Sequence, residues 1–311
     1  MIDEFRRSSI LLDKLTFDDT ISPTGGSNLV YGYQRLETPS TASVRQINAE
    51  YSPNEAKRTK CTASPVILGG SFQIDRVIAQ TSGAINEMDF QIKEKTKAGA
   101  NYFHNLVING TSASSGTGYV PNTFDGLKKI LTGKSTEMTT DIDISTSALL
   151  DSNYNALLDE LDTFIALLAA KPDVLMMNSK MLTKVKSAAR RAGYYDRNKD
   201  DFGRTVETYN GIILMDAGQY YNGSTTEDVV STSTPSSDAY GTTDIYAAKL
   251  GLDAFHGISV DGSKMLKTYL PDLQAPGAVK TGEVELIAGA VLKNSKMAGV
   301  LKGIKLLGKT A

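Results

Sequence analysis

A long amphipathic helix in the first half of the chain is the feature that most limits the possible folds. Its apolar residues recur every three or four positions and predict one buried stripe, at Ile85, Met88, Ile92, Gly99, Phe103 and Leu106. A helix of about 25 residues is roughly 37 Å long. The residues before it, about eighty in number, are too polar and too extended to form a core against this stripe. We therefore expect neighbouring subunits to order those early segments.

Both ends of this helix carry recognisable signals. Thr81 or Ser82 is the predicted amino-terminal cap. Asn109-Gly110 ends the helix in a turn. A Ser/Gly/Thr loop follows over residues 111–122, and Phe124-Asp125-Gly126-Leu127 comes soon after it.

The segments before the helix are predicted to be extended, with one short exception. Residues 1–20 contain a short helix that docks through leucines, and residues 21–34 form an extended arm rich in Gly and Pro. Residues 35–80 predict a long two-stranded arm with a polar middle, and the apolar residues from Val66 to Ile78 are expected to be strand. An isolated hairpin is only marginally stable in water, so this one needs support from the body or from another subunit.

The middle of the chain predicts an α/β unit. A helix over residues 145–170 has a wide apolar face, as a helix that faces a core requires. Val174–Met177 is a short, wholly apolar strand. Asn178 or Ser179 then caps a third helix, which Gly193 closes.

The rest of the chain predicts strands. Asn210-Gly211 lies between apolar residues and indicates a tight hairpin over residues 206–215. Residues 219–243 are expected to be an exposed loop, and Ile245–Ala248 another strand. Residues 284–292 and 297–306 predict a closing β-hairpin.

Composition excludes several classes of function. The chain has 311 residues, a net charge of −2, one cysteine and two histidines. The low net charge gives no general attraction to nucleic acid, and no apolar run is long enough for a transmembrane helix. The start of the chain does not resemble a secretory signal. The chain contains no nucleotide-binding motif, nucleophile motif or histidine pair with metal-ligand spacing, so we expect no catalytic, cofactor or metal site and no enzymatic activity.

Two basic clusters leave alternatives open. One lies between Lys180 and Arg204, and the other between Lys293 and Lys309. Each is either a solvated face or a contact for acidic surfaces or phosphates.

The order of these elements resembles the major capsid proteins of tailed bacteriophages, which have the Hong Kong 97-type fold. The residues that carry the resemblance are the helix end Phe103–Gly110 and the motif Phe124-Asp125-Gly126-Leu127. Val174–Met177 with its following helix, the Asn210-Gly211 hairpin and Ile245–Lys249 also fit the family's central domain. The resemblance covers nearly the whole chain.

This resemblance implies an α+β fold divided as follows: an N-arm over residues 1–34, an extended β-hairpin loop over 35–78, a peripheral domain with a long spine helix over 79–139, an axial α/β domain over 140–255, and a return to the peripheral domain with a closing β-hairpin over 256–311. The implied function is an icosahedral shell that encloses double-stranded DNA without sequence specificity. The implied partners are many copies of the chain, as pentamers and hexamers, together with portal and scaffolding proteins and no membrane. The shell is expected in the virion after assembly in the host cytoplasm.

The resemblance also suggests intersubunit contacts. Tyr51, Lys57, Arg58 and Lys60 of the extended loop are the expected contact residues. Some relatives form covalent Lys–Asn cross-links promoted by a glutamate, and by position Lys57 or Lys60 with Asn294 are the candidates here.

Three other classes stay open from the sequence. An encapsulin-like compartment around a cargo enzyme shares the fold and differs in the content of the particles. A soluble enzyme with an α/β domain requires a pocket of converging titratable groups, for which the sequence offers no candidate set. Another phage structural protein, such as a tail component, differs in particle shape.

Overall fold

The computed structural model describes residues 10–20, 30–38, 40–81, 86–112, 123–193, 196–199, 205–260 and 266–309. The helices are Ile10–Lys14 (α1), Arg76–Thr81 (α2), Glu87–Asn109 (α3), Leu127–Leu131 (α4), Ser147–Ala166 (α5) and Ser179–Ala192 (α6). The strands up to the middle of the chain are Phe17–Asp19 (β1), Tyr31–Thr38 (β2), Lys57–Ala63 (β3), Val66–Asp75 (β4), Glu137–Thr139 (β5), Val174–Met177 (β6), Asp196–Lys199 (β7), Thr205–Tyr209 (β8) and Ile212–Asp216 (β9). The later strands are Gln219–Tyr221 (β10), Thr226–Asp228 (β11), Gly241–Ala248 (β12), Phe255–Ser259 (β13), Leu266–Tyr269 (β14), Val279–Leu292 (β15) and Ala298–Leu307 (β16).

Two sheets form the body of the subunit. A seven-stranded sheet has the order β5-β16-β12-β6-β9-β8-β7. A five-stranded sheet contains β1, β13, β15 and β14 in that order, with β4 paired with β15. Two separate hairpins, β2–β3 and β10–β11, lie outside these sheets. The architecture is therefore α+β, as the sequence predicts.

The seven-stranded sheet is buried on both faces. On β6, Leu175 and Met177 pack in one core with α5 and α6, while Val174 and Met176 pack in a second core with α3. All four β6 residues are fully buried, because successive side chains point to opposite faces and each face is covered. This double burial explains why the strand is apolar throughout.

The spine helix α3 begins later than the sequence predicts. Its amino-terminal cap is Asn86, whose Oδ1 accepts a hydrogen bond from Met88 N at 3.1 Å, and not Thr81 or Ser82. Thr81 ends the separate short helix α2, which also takes in Val77, predicted as strand. The predicted carboxyl-terminal end is confirmed, since Gly110 follows Asn109 and donates to Leu106 O at 2.9 Å.

A close backbone contact joins the end of α3 to the start of α4. Gly126 N donates to Gly110 O at 2.8 Å, and a Cβ on Gly126 would lie 2.6 Å from Ile108 O. On either side of Gly126, Phe124 and Leu127 are fully buried, and the Phe124 ring lies 6.1 Å from that of Phe103. The Phe-Asp-Gly-Leu motif thus has a physical role, since it lets the chain return against the spine helix.

The predicted closing β-hairpin is wrong. The strand β15 pairs with β4, β13 and β14, whereas β16 pairs with β5 and β12 in the other sheet. Their apolar faces belong to different cores: Leu286 of β15 packs against α3, and Leu301 of β16 packs in the core with α5. A 3-10 turn over Ser295–Met297 redirects the chain between the two sheets.

The strand from Val66 is not part of the two-stranded arm. Val66–Asp75 pairs with β15 over ten registered residues, because its buried face, including Phe72 and Ile74, requires a core that an exposed arm cannot supply. The charged segment Lys57–Ala63 pairs with Tyr31–Thr38 instead.

The local predictions in the middle of the chain are confirmed. The helix α5, the strand β6 and the Asn178 cap of α6 lie where the sequence places them, and Gly193 closes α6 with φ of 78°. Asn210 and Gly211 adopt φ of 50° and 72°, as the tight hairpin turn requires. The predicted exposed loop over residues 219–243 instead contains the hairpin β10–β11 and two buried residues, Val229 and Val230.

The Gly126 contact yields a stability prediction. Gly126→Ala should lower the free energy of unfolding by about 1–3 kcal/mol, because the added methyl group overlaps the backbone of α3. Gly99→Ala is the matched control: beyond the local backbone of its own helix and its chain neighbours, no described atom lies within 4 Å of the added methyl group. This variant should raise stability by about 0.5–1 kcal/mol through helix propensity. Chemical denaturation of unassembled subunits measures both, and equal stability of the Gly126 variant and the wild type contradicts the prediction.

Candidate assembly interface

The hairpin of β2, β3 and the connecting residues 40–56, here named the loop hairpin, has two different faces. Tyr31, Tyr33 and Cys61 are half-buried on the side that faces the body. Arg58 and Lys60 lie on the opposite side and are exposed. The two faces differ because successive side chains of a strand point to opposite sides. In a single chain, one face of the hairpin is therefore exposed to solvent.

The connecting residues expose large apolar side chains. Val44 is 100% exposed and Ile47 is 92% exposed, while Tyr51 is 59% exposed. Local contacts hold this segment: the Arg45 guanidinium lies 5.6 Å from the Tyr51 ring centroid, and Asn54 Nδ2 donates to Thr41 Oγ1 at 2.8 Å. Exposure of such residues together is typical of a surface that another chain covers.

The four contact residues that the sequence singles out all lie on the loop hairpin. Tyr51 is in the connecting segment, and Lys57, Arg58 and Lys60 are exposed on β3. Arg58 Nη1 donates to Gln34 Oε1 at 3.4 Å across the two strands. The structure thus brings these residues onto one exposed element.

A polar cluster at the base of the loop hairpin fastens it to the body. The Tyr31 hydroxyl donates to Asp18 Oδ2 at 2.7 Å. The Arg35 guanidinium donates to Leu292 O at 3.2 and 3.3 Å, at the end of β15. Lys293 Nζ lies 5.8 Å from the Tyr31 ring centroid. These contacts position the hairpin relative to both β1 and β15.

His256 is buried in the same cluster. Its side chain is fully buried, and the ring meets Tyr31 edge-on at 5.9 Å. Burial lowers the pKa of His256, and the charge of Lys293 lowers this pKa further, against the opposing effect of Asp18. The imidazole is therefore neutral at neutral pH.

Asn294 lies beside this base, and its side chain caps the 3-10 turn that follows it in the chain. Asn294 Oδ1 accepts from Lys296 N at 3.0 Å and caps the 3-10 turn. No hydrogen bond joins Asn294 to Lys57 or Lys60 in the described part of the chain. A Lys–Asn cross-link within one subunit is therefore not prepared by this geometry.

A separate cleft of about 610 Å³ lies between α3, the amino-terminal end of α6 and the hairpin β10–β11. Its charged lining residues are Glu94, Lys97 and Asp216.

No cluster of three or more metal-ligating side chains occurs among the residues that the structure describes. Among the described helices, none combines the length and the apolar content needed to cross a lipid bilayer.

Sequence reasoning missed the base of the loop hairpin. Tyr31, Tyr33 and Arg35 alternate along the chain, which is a signal for one face of a strand, but the Gly and Pro residues nearby favour an extended arm that ends at residue 34. No local signal could have placed Asp18 and His256 beside Tyr31, because long-range pairing of β1 with β13 creates that contact.

Comparisons with known proteins find one family model that matches this chain. A family model described as "SU10 major capsid protein" matches residues 57–213, about half of the chain. A comparison with curated proteins finds no match.

Among solved structures, the holo-SrpI encapsulin complex of Synechococcus elongatus PCC 7942 is similar with a TM-score of 0.65 and 12% identity, over 97% of this chain and 89% of that one. The capsid of a native GTA particle has a TM-score of 0.60 and 12% identity, with 94% and 89% covered. The capsid of Myoviridae phage XM1 has a TM-score of 0.56 and 12% identity, with 94% and 91% covered. At these identities the likeness shows the fold.

The buried histidine yields a pH prediction. In the unfolded state, the His256 side chain takes up a proton near pH 6.5. In the folded state its pKa is lower, so the folded state resists this protonation. The free energy of unfolding is therefore highest above about pH 6.5 and falls as the pH drops toward the folded-state pKa. His104, whose pKa burial lowers to about 4, contributes with the same sign. His256→Phe keeps a ring against Tyr31 and should make the loss of stability between about pH 7.5 and about pH 5.5 smaller than in the wild type.

Urea unfolding of unassembled wild-type and variant subunits at the two pH values measures this difference. An equal loss of stability in both proteins would show that His256 does not titrate as its burial requires.

Proposed function

The chain belongs to the SU10 major capsid protein family, and we propose that the shell it forms is icosahedral and encloses double-stranded DNA. It is a structural, shell-forming subunit of the Hong Kong 97-type fold. We place the shell in the virion, after assembly in the host cytoplasm. A net charge of −2 suits a shell that must not hold packaged DNA tightly or read its sequence.

The loop hairpin is the observation that supports this function best. A projecting hairpin with one solvent-covered face and exposed apolar residues, such as Val44 and Ile47, is costly for a monomer. The cost disappears when each copy covers the hairpin of a neighbour, and many such contacts add cooperatively in a closed shell. Tyr51, Lys57, Arg58 and Lys60 are the residues we assign to this contact.

The division of the chain follows from the same proposal. The loop hairpin would be the extended loop in place of residues 35–78, because β2 begins at Tyr31 and Val66–Asp75 pairs with β15. The N-arm would then end before Tyr31 rather than at residue 34. The helix α3 would be the spine of the peripheral domain, and about 140–255 the axial domain that meets its copies in pentamers and hexamers. The return segment, 256–311, would connect the axial and peripheral domains through β15 and β16. Portal and scaffolding proteins are the proposed further partners.

A covalent link between copies is a narrower proposal. The Nζ of Lys57 or Lys60 would attack the Asn294 side-chain carbonyl of a neighbour, forming an amide and releasing ammonia. The lysine must be neutral, which requires the neighbour to exclude water, because both lysines are exposed in one chain. Denaturing electrophoresis of mature particles should then show ladders of linked subunits that Asn294→Ala removes. Single subunit bands from mature wild-type particles exclude the link.

An encapsulin-like compartment is the second candidate, because the SrpI encapsulin structure matches 97% of this chain. The content of the particles separates the two: nuclease-protected double-stranded DNA supports the virion, and a protein cargo without DNA supports the compartment.

Negative-stain electron microscopy of the purified chain tests the main proposal. We expect hollow shells of uniform size, since closed shells are the form in which every loop hairpin is covered. Monomers at micromolar concentration, or open tubes, would contradict the proposal. DNA extracted from particles made in the natural host then tests the enclosed cargo.

A further inference from the structure

The two helices on one face of the seven-stranded sheet carry opposite charges. The acids of α5 are Asp151, Asp159, Glu160 and Asp162, and the helix contains no lysine or arginine. The bases of α6 are Lys180, Lys184, Lys186, Arg190 and Arg191, and the helix contains no acid. Complete separation of the charges onto neighbouring helices is unusual for a face that merely needs to be soluble, where both signs are ordinarily mixed.

Burial of the apolar faces fixes where these charges point. Leu157 and Leu161 of α5, and Met181 and Val185 of α6, pack in the same core against the sheet. The polar sides of both helices therefore face away from the sheet. Asp159 and Asp162 are exposed on α5, and Lys180 and Arg190 are exposed on α6.

Ion pairs among the described residues neutralise only part of this charge. Arg191 pairs with Asp151 at 2.6 Å, at one end of the helix pair, and Lys186 pairs with Glu207 of β8. Asp159, Lys180 and Arg190 form no ion pair among the described residues. Asp162 accepts a hydrogen bond from the Tyr209 hydroxyl at 3.0 Å.

We propose that the acidic face of α5 in one copy meets the basic face of α6 in the next copy. The inference rests on the proposed function, because only an assembly of many copies offers the second helix. Two different surfaces meet in such a contact, so it is head-to-tail, and repetition around an axis closes a ring. Contacts of α5 with α5, or of α6 with α6, bring like charges together and are disfavoured. The charge separation thus sets the direction in which copies follow each other around the ring.

The contact should be sensitive to salt. Exposed charges lose their attraction when the separation exceeds the Debye length, which is about 10 Å at 0.1 M salt and about 3 Å at 1 M. Ring formation should therefore slow at high salt, since complementary charge acts chiefly on the rate and the orientation of encounter.

Charge reversal in full-length protein tests the inference. One variant carries Lys180→Glu and Arg190→Glu, which reverses the two exposed bases of α6 that form no ion pair among the described residues. Another carries Asp159→Lys and Asp162→Lys, which reverses two exposed acids of α5. Each alone should lose about tenfold or more of its assembled fraction in velocity sedimentation. Lys134→Glu with Lys267→Glu reverses two exposed charges away from the two helices and should assemble as the wild type does.

Two further measurements separate a lost contact from a folding defect. The chain with all four reversals again places opposite charges at the exposed positions of the two helices and should recover assembly. A folding defect would instead become worse, because this chain carries every substitution. A mixture of the two reversed variants should form rings in which they alternate, so even-membered rings appear and odd-membered rings do not.

The outcomes distinguish the inference from the proposed function. If both reversed variants assemble as well as the wild type, or if the fourfold variant folds and fails to recover, the helix contact is wrong and the shell function stands. If the wild type forms no oligomer in any salt, the shell function itself is wrong, and the inference falls with it.

Discussion

Apolar burial on both faces of the seven-stranded sheet is the constraint on which the rest of the subunit depends. One face packs with α5 and α6, and the other packs with α3 and the five-stranded sheet. Since β15 and β16 lie in different sheets, the last part of the chain joins the two cores. Both faces of the seven-stranded sheet are therefore covered within one chain.

The proposed assembly surfaces are the loop hairpin and the polar sides of α5 and α6. The loop hairpin projects from a polar base at Tyr31 and Arg35, and its solvent-covered face carries basic residues and exposed apolar ones. The helices α5 and α6 present their charges on the side away from the sheet. These surfaces are exposed in the single chain, and in the proposed shell neighbouring copies cover them.

The sequence predicts the local features of this fold well and the long-range pairings poorly. The Asn178 cap, the αL Gly193 and the Asn210-Gly211 turn are each decided within a few residues, so their chemistry is visible in the sequence. The partners of β4, β15 and β16 depend on which core receives each apolar face, which adjacency along the chain does not reveal. For the same reason the lysines of the loop hairpin are recognisable as exposed, whereas the buried contact of His256 with Tyr31 is not.

Hydrogen–deuterium exchange of the loop hairpin, compared between unassembled subunits and assembled shells, tests the central claim most directly. The account predicts that residues 40–63 exchange rapidly in the subunit and become strongly protected in the shell, while the amides of β6 are protected in both states. Equal exchange of residues 40–63 in the two states would contradict it, because the hairpin would then gain no cover from a neighbouring copy.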